Sequence, residues 1–155
     1  MSKWVVDTCV IIDVLSGDGV FSAKSADAID MKRSEGLVVA PITYVELAPS
    51  FLGDVARQDL VLSGLGIEYD FAGNKEAVLA AHKAWYEHVL RKRFGKVAKR
   101  PIADVLIGAY AMQEGGLITR NEADFKTLYP NLTIFNPVSD RKSTRLNSSH
   151  PSRYR

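Results

Sequence analysis

At 155 residues the chain is sized for one domain, and 46% hydrophobic content is enough for the core of an ordinary soluble protein. A single cysteine, Cys9, rules out a disulfide framework, and no Cys/His cluster has zinc-type spacing. No basic start runs into a long apolar stretch and none is long enough to span a bilayer, so neither a signal peptide nor a membrane span is expected, and a reducing, cytoplasmic setting follows by default.

The formal net charge of +2 is unevenly spread. Arg141, Lys142, Arg145, Arg153 and Arg155 against Asp140 give residues 140–155 a charge of +4, which leaves −2 for residues 1–139. A basic tail ordinarily suggests a nucleic-acid arm. This one, from Asp140 to His150, instead resembles the translation of a sequencing-library adapter joined to a truncated reading frame. It is set aside as a non-native, polar, unpatterned tail, and the natural chain is expected to close near Asn136-Pro137-Val138.

In chain order, Trp4-Val5-Val6 reads as a strand buried on both faces, with Asp7 directly after it. An acid there lies at the carboxyl edge of a sheet, where open α/β sheets bind ligands. Residues 10–15 suit a buried helix, and residues 16–19 a loop. Residues 21–35 have helical patterning stopped by Gly36, and residues 37–40 form the second strand. Pro41 breaks that strand, and Thr43 to Glu46 opens a helix. A short helix over 55–65 precedes a third strand over 67–70. Asn74 caps a long helix running to about Arg93, and residues 95–100 make a basic connector. Pro101 suits the first turn of a helix that ends at Gly115-Gly116, with Gly108 and Ala109 allowing close packing on the sheet. Leu117-Ile118-Thr119 and Thr133-Ile134-Phe135 are the fourth and fifth strands. There is no internal repeat. Strands alternating with helices imply an α/β domain over residues 1–139, with a parallel sheet covered on both faces.

Four acids invite a functional reading, and each has a plainer one. Asp7 can cap the following helix. Glu46 lies three after Thr43, a capping-box spacing. Asp104 stands in a first helical turn, where negative charge suits the dipole. Asp124 lies three after Asn121, another cap pattern. Their joint placement says more. Asp7, Glu46 and Asp124 all follow strands, and strand-to-helix turns of a parallel sheet share one edge; Asp104 joins them if its helix starts there. Four carboxylates so close repel unless protons or a cation compensate. All-oxygen donors select a hard divalent ion, Mg²⁺ or Mn²⁺.

Residues 1–138 resemble the PIN-domain ribonucleases and, within them, the VapC-type toxins of bacterial toxin–antitoxin pairs. The resemblance rests on Val5-Val6-Asp7-Thr8, Thr43-Tyr44-Val45-Glu46-Leu47, Ala103-Asp104-Val105-Leu106-Ile107-Gly108-Ala109, Thr119-Arg120-Asn121-Glu122-Ala123-Asp124-Phe125 and the ending Ile134-Phe135-Asn136-Pro137. Each motif is short; their order and spacing carry the specificity. The resemblance implies a three-layer α/β/α sandwich with about five strands, and a Mg²⁺-dependent endoribonuclease (Mn²⁺ as an alternative) acting on RNA. It also implies a cognate antitoxin and a homodimer. It carries the metal site onto Asp7, Glu46, Asp104 and Asp124, and places Thr119 where the family supports a metal-bound water. Asn121 stands where many relatives have a second acid, so Asp124 is taken as the fourth ligand, with Asn121 and Thr8 as polar groups behind the ligands. Cys9, where Asn or Ser is commoner, reads as a buried small hydrophobe.

Water as nucleophile would leave a 5′-phosphate and a 3′-hydroxyl. His82 and His88, the two histidines outside the tail, lie in the long helix and read as partly exposed, so a metal-free histidine mechanism is disfavoured. Arg91, Lys92, Arg93, Lys96, Lys99 and Arg100 cluster ahead of Asp104; Lys96, Lys99 and Arg100, with Arg120, are the candidate RNA contacts. Trp85 and Tyr86 read as core or dimer contacts. The rival readings are a receiver domain with Asp70 as phospho-acceptor and a PIN-like module that binds RNA or protein without cutting. The receiver lacks its lysine, since Asn136-Pro137 follows the last strand. A phosphatase with an Asp-x-Asp nucleophile fails at Cys9.

Overall fold

The computed structural model describes residues 2–17, 19–69, 75–93 and 102–139. Asp70, Asn74, the connector residues 95–100, Pro101 and the tail 140–155 lie outside the described residues.

Five strands form one parallel sheet: β1 (Trp4–Val6), β2 (Leu37–Val39), β3 (Ile67–Tyr69), β4 (Gly116–Ile118) and β5 (Ile134–Phe135), in the order β3-β2-β1-β4-β5. Trp4 pairs with Leu37 on one side of β1 and with Gly116 on the other. Between the strands run α1 (Thr8–Ser16), α2 (Ser22–Lys32), α3 (Pro41–Glu46), α4 (Val55–Gly64), α5 (Lys75–Arg93), α6 (Ile102–Met112) and α7 (Glu122–Leu128).

The strands are apolar runs because both faces are covered. Alternate residues feed two separate cores. Val5, Val38 and Leu117 pack with Ala81, Ala84, Val105 and Phe125 of α5, α6 and α7. Val6, Leu37, Val39 and Ile118 pack with Val10, Ile11, Ile29 and Leu62 of α1, α2 and α4. Val5 and Val6 are both fully buried, so each stabilises the fold by about 1.5–3 kcal/mol. The architecture is thus a three-layer α/β/α sandwich with an all-parallel sheet.

The winding decides where a ligand can sit. From β1 the chain moves outward through β2 to β3, with α1, α2 and α4 on one face. It then returns past β1 to β4 and β5, with α5, α6 and α7 on the other face. The direction reverses between β1 and β4, and the carboxyl end of that pair is the crevice of a doubly wound sheet. A receiver-like sheet has the order 2-1-3-4-5. The order found here removes that reading.

Three local expectations need correction. The helix after β2 begins at Pro41, with Ala40 at the N-cap position, so Thr43 and Glu46 form no capping box; Glu46 is the last residue of α3. The helix predicted over 21–35 is α2 followed by a 3-10 turn, Arg33–Glu35. Gly108 serves a close approach to the end of α7 rather than to the sheet: a Cβ there would collide with the Tyr129 ring and lie 3.3 Å from Phe125. The Tyr129 hydroxyl, donating to the Val105 carbonyl at 2.6 Å, locks that contact.

Candidate active site

Asp7 follows β1 at the switch point. It occupies the N-cap position of α1, yet its side chain makes no capping bond. The carboxylate points across to β4 instead. Thr119 Oγ1 donates to Asp7 Oδ2 at 2.7 Å, and the Asp7 amide donates to the Ile118 carbonyl at 3.0 Å. Cys9 Sγ, in the first turn of α1, donates to the same Oδ2 at 3.3 Å. The Asn121 backbone N–H donates to Thr119 Oγ1 at 3.0 Å, so the hydroxyl is held from behind. Asp7 is 4% exposed and Thr119 fully buried.

Burial raises the Asp7 carboxyl above the ordinary aspartate range; hydrogen bonds from Thr119, Cys9 and Thr8 pull it back, and the nearby Glu46 charge pushes it up again. The charged neighbour acting on Asp7 is therefore another acid. Burial, followed by the Asp7 charge, lifts the Cys9 thiol to about 12, so it stays protonated and serves as a donor. Cys9 is half-buried and does pack against the α1/α2 core, but its sulfur is also bonded to the site, which a purely apolar reading misses.

Glu46 reaches the site from the end of α3. Its Oε1 accepts from Thr8 Oγ1 at 2.7 Å, and Thr8 Oγ1 also lies 3.0 Å from the fully buried Thr43 Oγ1. Thr8 thus supports Glu46, as Thr119 supports Asp7. Asp104 lies in the first turn of α6 and Asp124 in the first turn of α7, both half-buried. Asn121 is the N-cap residue of α7 without a side-chain capping bond, and its side chain is exposed.

The donor set is hard oxygen, centred on a buried carboxylate with an acidic neighbour, and that chemistry fits a divalent cation. The spacing is more open than a finished coordination sphere: among the described residues no three Asp, Glu, His or Cys side chains converge at metal-holding distance. Asp7 and Glu46 are brought together electrostatically. Asp104 and Asp124 are brought to helix starts, and the four acids do not close into one cluster.

Arg120, expected as a phosphate contact, is otherwise engaged. Its Nε donates to Asp13 Oδ2 at 2.7 Å and its Nη2 to Asp13 Oδ1 at 3.1 Å, while the guanidinium lies 4.0 Å above the Phe21 ring. Ser25 Oγ donates to Asp13 Oδ2 at 3.0 Å. Sequence reasoning missed Asp13. The signal was present: an acid inside the apolar run 10–15 demands a partner if that helix is buried. His82 is exposed as expected, but His88 is buried and stacks on Trp85 with ring centroids 5.7 Å apart. Lys96, Lys99 and Arg100 lie outside the described residues.

Among the described residues no helix is long and apolar enough to cross a membrane. No curated protein matches the sequence. Solved structures with a similar fold include VapBC2 from Rickettsia felis bound to a DNA fragment from its promoter: 17% identity, 86% of this chain and 98% of the matched one, TM-score 0.63. VapBC-1 from nontypeable Haemophilus influenzae is similar at 20% identity, covering 88% of this chain and 99% of the other, TM-score 0.63. FitAB bound to the IR36 DNA fragment follows at 17% identity, 87% and 95% coverage, and TM-score 0.62. At these identities the likeness is one of fold. The sequence itself matches the PIN domain family over residues 4–129, and with Asp7 and Thr119 meeting at its switch point the chain belongs to that family.

Proposed function

We propose that this PIN domain is a divalent-metal-dependent endoribonuclease and the toxin of a toxin–antitoxin pair. The observation that carries the reading is Asp7: a buried carboxylate at the sheet's switch point, oriented by Thr119, with a second acid as its charged neighbour. A structural aspartate would cap its helix or face a cation; this one is held by hydroxyl and thiol donors, and the charge acting on it is that of Glu46.

Asp7, Glu46, Asp104 and Asp124 would hold Mg²⁺, or Mn²⁺ in its stead. When bound, that ion supplies an activated water and neutralises charge growing on the phosphate. The chain's own contribution is positional. Thr119 fixes the Asp7 carboxylate through Oδ2, and Thr8 fixes Glu46 through Oε1. The protonated Cys9 thiol adds a second donor to Asp7 without adding charge.

The partner reading is supported by the similar solved structures, VapBC2, VapBC-1 and FitAB, each named for two components. It is also supported by apolar side chains left in solvent around α3 and α4: Val45, Leu52, Val55 and Leu60 are 64%, 95%, 59% and 76% exposed. Such side chains suit a protein partner, an antitoxin or a second copy. A PIN-like module that binds RNA without cutting is the alternative, and it needs no oriented carboxylate.

The test is cleavage of RNA by the full chain with Mg²⁺, with chelator, and with Asp7→Asn or Asp104→Asn. Cleavage lost in all three controls, with 5′-phosphate and 3′-hydroxyl products from the wild type, is the expected result. Cleavage that survives the substitutions removes the site, and a 2′,3′-cyclic phosphate product removes the water mechanism.

A further inference from the structure

We infer that Asp13 is a positioning residue for the acidic site, acting through Arg120 to hold the turn that presents Thr119 to Asp7. The inference rests on the nuclease reading above. Asp13 stands six residues after Asp7, in the C-terminal half of α1, and is no ligand of the site itself. Its side chain is 9% exposed, and both oxygens are bonded: Oδ1 by Arg120 Nη2, Oδ2 by Arg120 Nε and Ser25 Oγ.

Arg120 is the residue between the two that secure the site's hydroxyl. Thr119 before it donates to Asp7, and Asn121 after it donates its backbone N–H to Thr119. The backbone of Arg120 also meets the Cys9 sulfur. Asp7 at the start of α1, and Cys9 and Asp13 within it, therefore hold two successive residues after β4, Thr119 and Arg120. The bidentate pair fixes guanidinium orientation as well as distance, and the Phe21 ring closes its open face. A buried ion pair stabilises a fold no better than well-packed apolar side chains. What it adds is geometry, and the geometry here belongs to the turn that carries Thr119 and begins α7 with Asp124.

Two conservative variants separate this role from both alternatives. Asp13→Asn keeps shape and one acceptor oxygen but loses the two-point grip. Arg120→Lys keeps the charge and loses the fork. Both are made in the full chain and checked for a wild-type melting profile. Calorimetric titration with Mg²⁺ alone is expected to show affinity about tenfold weaker in each, the lower end of what outer partners of metal ligands contribute. With RNA, kcat is expected to fall about as much while KM stays within twofold. A raised KM with unchanged kcat and unchanged Mg²⁺ affinity would make Arg120 an RNA contact and overturn the inference. Wild-type Mg²⁺ affinity and kcat in both variants would overturn it too, leaving the pair a structural tie. A wild-type chain that binds no Mg²⁺ overturns the nuclease reading and this one with it, so the two failures are distinguishable.

Discussion

The two ends of α1 each bury an aspartate, and they treat it in opposite ways. Asp13, near the C-terminal end, is balanced by a bidentate arginine and further bonded by Ser25. Asp7, at the N-terminal end, receives hydroxyl, thiol and amide donors, while the charge that acts on it is that of another acid. One helix thus offers a control for the other. Burial with balance is what a fold needs; burial without it costs stability and marks a place kept for something else.

The largest effect expected from breaking this contrast is on Asp7. Asp7→Asn should reduce Mg²⁺-dependent RNA cleavage by more than about a hundredfold, since even outer partners of ligands contribute roughly 10–100-fold. The same change should stabilise the metal-free protein. The folded carboxyl is raised, so ionised Asp7 penalises the native state at neutral pH, and Asn removes that penalty. A gain of about 0.5–2 kcal/mol is expected, at about 2–4 °C per kcal/mol for a chain of this length. The gain should vanish below about pH 4, where the aspartate is protonated in both states. Thermal melts across pH would show it; a variant less stable than wild type at pH 7 would contradict the unbalanced-charge account.

The balanced end should respond with the opposite sign, and asymmetrically. Arg120→Ala strands Asp13 at 9% side-chain exposure and should cost about 3 kcal/mol, the low end for breaking a buried pair. Asp13→Ala strands Arg120, which is 25% exposed and can reach water, and should cost less. Urea unfolding of the two variants compares them directly, and equal losses would mean that the burial of Asp13 does not govern the pair.

Mg²⁺ offers a third comparison, since an ion that binds only the native state stabilises it by mass action. At about a hundred times its dissociation constant the gain is about 2.7 kcal/mol. Wild type should show this shift in its melting temperature. Asp7→Asn should lose it, and an exposed change such as Leu60→Ala should keep it.

How much of this is legible in the sequence follows from the same contrast. The apolar strands and their alternation with helices are readable because the central strands are buried on both faces, with Asp7 closing β1 and Pro41 stopping the run that holds β2. Asp7 is readable for the same reason: it stops an apolar run at an edge. Glu46 is readable from its place one short turn after β2, while its plainer reading, a capping box with Thr43, fails because Pro41 starts the helix. Asp13 is easily passed over because a helix face tolerates one polar residue in solvent, and only the tertiary structure shows that this face is turned inward. Arg120 looks like a free cation for the complementary reason: its partner lies 107 residues away in sequence. Long-range pairing of charges is what local pattern leaves out.

The smallest effect concerns the basic rim, with the Asp13-bound arginine as its reference. Each single-strand phosphate that a protein no longer neutralises flattens the slope of log affinity against log salt by about 0.7. If Lys96, Lys99 and Arg100 touch RNA, neutralising all three should weaken binding and reduce that slope by up to about 2, with Mg²⁺ affinity unchanged. Arg120→Lys keeps its charge and, being tied to Asp13, should leave the slope where it was. Filter-binding titrations from low to moderate salt distinguish the two. A slope unaltered by the triple change would make the cluster a solvated surface, and a slope altered by Arg120→Lys would mean that the guanidinium leaves Asp13 when RNA arrives.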